Sequence, residues 1–299
     1  MAAQYLGVSP LTLYKSKKIV QAAREDSRLE PLISDVDGGN VSVDRAYFKV
    51  KQHQKVERIK RIEVPKTDIE ILEKLGISIR PQDVWNFPKQ DQRFGLEYPG
   101  QVSADIVFNT LYFFTEQGDL VVDPMAGGGL VGDVSYIMKR KCIMYDLHPF
   151  RQDIKKLDIM TESLPEECRN ADLLFWDDPY FKIGSSAKKG RDEFLPFIRH
   201  KTDQFYDLGI KQIALVVSDL SYDNESKDLF SWHYTNAILS TAKWRVHRHI
   251  HCPLTKPQYD RVKENHRAYG VQHKEIFGQT TRSLVVFFRE GINWNIIRR

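Results

Sequence analysis

The sequence predicts an α/β protein: a doubly wound, mostly parallel sheet with a reversed last strand, preceded by a small all-helical domain. Three observations carry this. From about Val84, short apolar runs of strand length alternate with helical stretches, the pattern of a parallel sheet covered on both faces. The last two such runs have no clear helix between them, so they predict an antiparallel pair at one edge. Residues 1 to about 50, by contrast, show only helical spacing.

In the helical part, Ala3, Gly7, Val8 and Leu13 fall on the spacing of a helix-turn-helix. Ser9 reads as an N-cap with Pro10 at the first helical position. The stretch LEPLISDVDGGNVSVDRAYFKV then predicts a helix, a break at Gly38-Gly39 and a further helix capped near Ser42. These features resemble the helical DNA-binding module of ParB-type proteins, which implies a DNA contact; a bundle serving packing or dimerisation is the plainer alternative. The chain opens almost inside a helix, which leaves open whether sequence upstream of Met1 is missing. Lys51 to Ile62 places Val56, Ile59 and Ile62 on one face with Lys55, Arg58, Lys60 and Arg61 around it. It predicts a basic connecting helix, suited to a phosphate backbone or to a solvated spacer. The expected organisation is a helix-turn-helix module over 1–50, a basic helical linker over 51–83 and the sheet domain over 84–299.

The strands are expected at Asp119–Asp123, Lys141–Asp146, Leu173–Asp178, Ile213–Ser218, Trp244–Cys252 and Ser283–Arg289, with a short one within Asp153–Asp158. The length of 299 residues suffices for this core plus a small module, and 41% hydrophobic residues argue against disorder. The longest apolar runs, such as IALVV and LVVFF, are strand-sized and far too short for a bilayer. Cys142, Cys168 and Cys252 have neither disulfide nor metal spacing, which points to a reducing, cytoplasmic compartment without membrane contact. The formal charge of +4 is mild, but basic residues gather at Lys51–Arg61, Lys182–Arg191 and Arg245–Lys274.

The most informative segment is GDLVVDPMAGGGLVGDVSYIMKRKCIMYDLHP. A strand ends at Asp123, a glycine-rich turn follows, and a helix starts near Leu130. Gly127 and Gly129 permit close approach of the backbone to a ligand. The next strand ends on Asp146, placed to accept bonds from both ribose hydroxyls of a nucleoside cofactor. Gly127, Gly129 and Gly132 also satisfy GxGxxG, but the first glycine comes several residues after the strand, whereas a dinucleotide fold turns directly out of it. An acid at Asp123 instead suits a ligand bearing a sulfonium and an ammonium. Asp123, Pro124, Met125, Ala126, Gly127 and Gly129 closely resemble the S-adenosylmethionine loop of amino-methylating DNA methyltransferases. Upstream, Tyr98-Pro99 and the helix after Ser103, with Ile106, Val107 and Leu111 on its apolar face, are similar to the segment that completes the methionine pocket in those enzymes. By the same analogy Asp158 bonds the cofactor's adenine amino group.

LLFWDDPYF places Asp177, Asp178, Pro179 and Tyr180 at the carboxyl end of a buried strand, where ligands bind in open α/β sheets. The motif resembles the Asp-Pro-Pro-Tyr tetrad of adenine-N6 and cytosine-N4 DNA methyltransferases, with Asp178 standing where the first proline is usual. The resemblance implies a seven-stranded Rossmann-like methyltransferase domain, S-adenosyl-L-methionine as cofactor, and methylation of an exocyclic amino group on a flipped base in double-stranded DNA. Adenine N6 is the first expectation; cytosine N4, RNA, or a non-catalytic DNA-binding regulator remain alternatives. In one register Asp177 is the catalytic carboxylate and Tyr180 the stacking ring; in the shifted register Asp178 and Phe181 take these parts. A prokaryotic or phage origin is implied, while the target sequence, a restriction partner and a homodimer stay open.

Two basic segments are candidates for gripping nucleic acid. KIGSSAKKGRDEF, with Lys188, Lys189 and Arg191, predicts a mobile loop closing over a flipped base. Pro253 to Gln279, with Arg261, Lys263 and Arg267, is longer than a normal hairpin loop. Arg245, His247, His249 and His251 alternate along one strand and are expected on one face. No acid or cysteine completes a zinc site with them, and a polar strand face is the expectation.

Overall fold

In the computed structural model, residues 7–87, 91–96, 101–149, 151–177, 187–218, 220–221, 227–228, 230–253 and 281–291 are described. The chain divides into two compact units, Met1–Ile62 and Glu63–Arg299.

The first unit holds α1 (Pro10–Glu25), a single 3-10 turn, α2 (Pro31–Asp37) and α3 (Val43–Lys60). The starts of α1 and α3 follow from their caps. Ser9 Oγ accepts from the Thr12 N–H at 3.0 Å, with Pro10 opening the helix, and Ser42 Oγ accepts from the Arg45 N–H. Contacts step from Tyr14–Tyr47 and Lys15–Asp44 at one end to Asp26–His53 and Arg28–Glu57 at the other, so α1 and α3 run side by side in the same direction. Between them lie Ile19, Ala22, Ala23, Leu29, Ala46 and Val50. Ala22, Ala23 and Ala46 let the helices approach closely. Residues 1–6, on which the helix-turn-helix expectation rests, lie outside the described residues.

The expected linker is not a separate element. Lys51–Lys60 is the second half of α3, with Val50 and Ile59 both buried. Residues 63–83 belong to the sheet unit. There α4 (Asp68–Leu75) begins at a capping box between Thr67 and Glu70 and ends at Gly76, whose φ of 71° is the left-handed cap. Its Asp68 takes a two-pronged ion pair from the buried Arg140 guanidinium, both bonds at 2.7 Å. Asn109 then fastens the next turn of chain, accepting from the Arg80 N–H and donating to the Ser78 carbonyl. Long-range polar ties of this kind leave no periodic trace in sequence, hence the misplaced boundary.

The sheet unit continues with α5 (Ala104–Phe114), β1 (Leu120–Asp123), α6 (Leu130–Ile137), β2 (Lys141–Asp146), β3 (Ile154–Lys156) and β4 (Leu173–Asp177). After these come α7 (Ala187–Asp207), β5 (Gln212–Ser218), a two-residue ribbon pairing Leu220–Ser221 with Lys227–Asp228, α8 (Phe230–Leu239), β6 (Trp244–Pro253) and β7 (Thr281–Arg289). Ser103 occupies the N-cap position of α5, but its hydroxyl bonds Asp105 and not the backbone. The seven strands form one sheet in the order β3-β2-β1-β4-β5-β7-β6. The first five are parallel, and β7 is antiparallel to both neighbours. This is the doubly wound, Rossmann-like sheet with a reversed last strand that the sequence predicts.

One face buries Val122, Leu174, Trp176, Leu215, Val217, Val285 and Phe287 beneath Phe194, Ile198 and Phe205 of α7 and Tyr234 and Ile238 of α8. The α6 helix lies on the opposite face, so close to β2 that a Cβ at Gly132 would stand 2.4 Å from Met144 Sδ. On that face the α5 ring Phe114 meets His247 edge-on at 5.7 Å.

The histidine expectation is corrected here. A bulge between Val246 and Arg248 breaks the alternation, so His247 turns towards Phe114 and Phe288 while His249 bonds Ser283 on the other face. Outside β6, Val84 bridges His251 in parallel: the Trp85 N–H donates to the His251 carbonyl and the His251 N–H to the Asp83 carbonyl, both at 2.8 Å. Among the described residues, no helix is long and apolar enough to cross a membrane.

Candidate active site at the carboxyl edge of the sheet

Strand register brings the predicted acids together. Asp123 pairs in register with Met144, and Asp146 with Lys156 on the far side. Val122 pairs with Leu174, three residues before Asp177. Side chains two apart on a strand share a face, so Asp146, Asp123 and Asp177 all fall on the α5–α6 face, at the ends of three adjacent parallel strands. Asp123 is set back by two residues, roughly 6–7 Å of strand, between the other two. Asp158 stands two residues beyond the end of β3, next to Asp146 in the strand order. Brought together in this way are four of the candidate carboxylates.

The local electrostatics are those of a desolvated acidic pocket. Asp123 is buried and accepts a hydrogen bond from the Met125 N–H at 3.1 Å. Burial pushes its carboxyl well above the usual range, and the neighbouring charges of Asp177 and Asp146 push it further. Asp177 is half-buried, and desolvation pushes it up to about 6 against the lowering influence of Arg282. Arg282 itself is buried on β7, in register with Ser218. Sequence reading missed it, since nothing in TTRSLVVFF relates that arginine to a strand two places away.

The glycine loop is fixed from several sides. Pro124 and Met125 turn the chain out of β1; Met125 Sδ accepts from the Trp176 indole at 3.2 Å, and the Ala126 N–H donates to the Tyr145 carbonyl. Gly127, at φ 47°, donates its N–H to Asp146 Oδ2 at 2.9 Å, while the His148 N–H donates to Oδ1 at 2.8 Å. Asp146 is thus anchored to the loop and to its own turn. Each of its oxygens keeps a further lone pair for a ligand hydroxyl. Gly129, at φ 75°, caps the start of α6. Gly128 admits no side chain, because a Cβ there would lie 2.3 Å from the Leu96 carbonyl oxygen.

Beneath the loop sits Arg151, which sequence reading also missed. Its guanidinium is only 3% exposed; it pairs with Asp133 at 2.8 Å and Asp153 at 2.6 Å and donates to the Gly129 carbonyl at 3.2 Å. Asp133 in turn accepts from the Gly95 N–H at 2.8 Å. The clamp joins α6, the loop and the segment before Leu96. An acid at the fourth position of α6 was its only visible signal, on a helix otherwise read for its apolar face.

Asp158 is half-exposed. Its Oδ1 accepts from the Met160 N–H, and its own N–H donates to Glu162 Oε1, leaving a carboxylate oxygen available at the outer end of the pocket. The buried Lys201 of α7 latches this turn by donating to the Glu162 carbonyl at 2.7 Å.

Tyr98, Asp178, Pro179 and Tyr180 lie outside the described residues, as do Arg261, Lys263 and Arg267. Lys188, Lys189 and Arg191 are not on a loop: their backbone forms the first turns of α7. Ala, Lys, Arg and Glu favour helix there, and Phe194, Ile198 and Phe205 give the segment a buried stripe at helical spacing. Among the described residues, no group of His, Cys, Asp and Glu could hold a metal ion.

Fold and edge together define a doubly wound, Rossmann-like domain with a row of acids at the carboxyl edge of its sheet. No family model matches the chain, and no curated protein matches it by sequence. Among solved structures it is similar to a precorrin-6y C5,15-methyltransferase from Geobacter metallireducens, at 11% identity and a TM-score of 0.41, over 68% of this chain and 97% of that one. A methyltransferase from Pyrococcus furiosus is similar at 11% identity and TM-score 0.35, over 74% and 95%. A TehB-like SAM-dependent methyltransferase from Corynebacterium glutamicum shares 11% identity and TM-score 0.35, over 60% and 85%. These likenesses stop at the course of the backbone.

Proposed function

We propose that this chain is an S-adenosyl-L-methionine-dependent methyltransferase acting on the exocyclic amino group of a DNA base, adenine N6 foremost. The observation that carries the reading is the row of acids at the carboxyl edge, with Asp123 buried between Asp146 and Asp177 and each raising its proton affinity. Crowded, desolvated carboxylates favour a cationic ligand. S-adenosylmethionine fits this donor set: Asp123 and the loop carbonyls face its sulfonium and ammonium, Asp146 its ribose hydroxyls, and Asp158 its adenine amino group. Tyr98 completes the methionine end by resemblance. Bound there, the cofactor supplies an electrophilic methyl group.

The chain's own residues do the rest. A base amino nitrogen is a weak nucleophile because its lone pair is delocalised into the ring. Asp177 accepts one N–H of that group and the Asp178 carbonyl the other, which draws density onto nitrogen and aims the lone pair at the methyl. Once the nitrogen has taken the methyl group it would carry one proton too many, and that proton would pass through the Asp177 carboxylate to solvent. The gain is one of positioning and fixed electrostatics. Pro179 shapes the turn, and Tyr180 stacks on the base once it has left the duplex. Lys188, Lys189 and Arg191 on α7, together with Arg261, Lys263 and Arg267, are assigned to the nucleic-acid backbone, as is the helical unit over residues 1–62. That unit carries twelve Lys and Arg against seven Asp and Glu, more than the net charge of the whole chain.

Tritium transfer from labelled cofactor to unmethylated DNA, with RNA in parallel, tests the proposal. Asp177→Ala should cost about a hundredfold to a thousandfold in rate, the usual loss of one preorganised group, with cofactor affinity nearly intact. Asp178→Pro should stay active in the Asp177 register and be dead in the shifted one. Full activity in both Asp177→Ala and Asp178→Ala would remove the catalytic assignment.

A further inference from the structure

The helical unit carries a feature that neither core packing nor charge alone accounts for. Large rings stand in water along the first halves of α1 and α3. Tyr14 is 51% exposed and Phe48 47%, with Leu11 exposed beside them. The Tyr14 and Tyr47 rings meet edge-to-face with centroids 6.2 Å apart, and Tyr14 keeps half of its surface in water. Lysines frame the same surface: Lys51 Nζ lies 5.5 Å from the Tyr47 ring centroid, Lys18 follows Tyr14 by one helical turn, and Lys15 pairs with Asp44 at 2.6 Å. Asp44 is the acid that the structure records on this face.

We infer that this α1–α3 surface is a stacking platform for unpaired bases of single-stranded nucleic acid, with Tyr14 and Phe48 as the rings and Lys18 and Lys51 on the phosphates. It rests on the reading that the partner is nucleic acid and specifies the form of it. The choice between strands and duplex follows from what each ring can reach. In a duplex the base faces are covered by their neighbours, so an exposed ring gains no partner and only the lysines contribute. A single strand offers a π-face at every base, and ring and cation act together on it. The positive excess of this unit is the complement of a polyanion.

Anisotropy of a labelled oligothymidylate of about twenty nucleotides, against the same strand annealed to its complement, tests this with the full chain. Tyr14→Ala and Phe48→Ala should each weaken single-strand affinity roughly five- to hundredfold and leave duplex affinity unchanged. Tyr14→Phe, which keeps the ring, should restore it. Lys51→Gln should reduce the single-strand salt slope by about 0.7, the value of one phosphate contact. Circular dichroism of every variant confirms that the helices persist. Equal losses on strand and duplex, no loss on either, or no strand binding by the unaltered chain would overturn the inference. So would a fall in sedimentation mass with Tyr14→Ala, since the face would then be a contact between copies. Failure of the methyl-transfer reading looks different: no labelled methyl on any nucleic acid, with ring-dependent strand binding intact.

Discussion

At the residue scale, the consequential group is Asp177, an acid whose sequence position was plain but whose environment was not. Its folded carboxyl is pushed up to about 6, above the ordinary unfolded value of about 3.9. Between those values the folded chain holds a proton that the unfolded chain has lost. Stability therefore falls as pH rises from about 4 to about 6, and this group adds no further slope above that. Melting curves across this range at fixed ionic strength should show the slope reduced in Asp177→Asn. Asp123 is raised as well, as are Asp105, Asp119 and Asp133, and these contribute to the slope that remains. The rate should climb through pH 6 as the accepting carboxylate forms. Asp146 makes a second test. Because it holds the Gly127 and His148 N–H groups, Asp146→Ala removes loop anchors along with ligand contacts. Calorimetry should find cofactor affinity down by more than about tenfold, since bonds to a charged group are each worth about 1.5–3 kcal/mol. These acids were legible in the sequence because each ends an apolar strand. Their mutual crowding was not, because it depends on which strands are neighbours.

Among the elements, the glycine loop and its clamp show where local patterning stops. Gly127 and Gly129 were readable from their place between strand and helix, and both adopt positive φ. Arg151 was not readable, because its partners Asp133 and Gly129 are joined to it by the fold and not by spacing. Arg151→Met should be among the most damaging single changes in the molecule. It strands the buried Asp133 carboxylate, at a cost on the order of 3–5 kcal/mol, and frees the loop. Chemical denaturation should show that loss. The double variant Arg151→Met/Asp133→Leu should recover part of the stability while cofactor binding stays weak. Equal stability of the single variant and the unaltered chain would mean the clamp is ornamental. The start of α7 teaches a similar lesson: glycine, serine and lysine suggested a loop, but the apolar stripe from Phe194 onward extends the helix back to Ala187. On β6 one bulged residue was enough to undo an alternation that looked regular in sequence.

Across the whole molecule, the division falls between Ile62 and Glu63, and this changes how the chain should be cut. A chain starting at Glu63 keeps α4, the Asp68–Arg140 pair and the Asn109 ties. Under the proposed function it should match the full chain in S-adenosylmethionine binding while losing most nucleic-acid affinity. A chain starting at Val84 leaves the Arg140 guanidinium buried without its carboxylate and should melt well below the longer fragment. Calorimetric scans of the two fragments decide this; matching transitions would show that residues 63–83 contribute nothing. The doubly wound alternation of strands and helices, the reversed last strand and both layers of helices were legible, because apolar strands of this length admit few other packings; the order of the strands was not. The unit boundary was not, because it is drawn by buried ion pairs and side-chain amides.

The short pairing of Asp83 and Trp85 with His251 bears on how the protein behaves in a crowded solution. The outermost long strand of the sheet would otherwise offer part of its hydrogen-bonding edge to any other extended chain. Those residues answer its groups internally, and the Trp85 indole, bonded to the Arg80 and Gln82 carbonyls, locks the plug in place. Removing it would leave the acids at the carboxyl edge untouched yet open a template for edge-to-edge growth. Turbidity under mild heating is where that loss would first be seen.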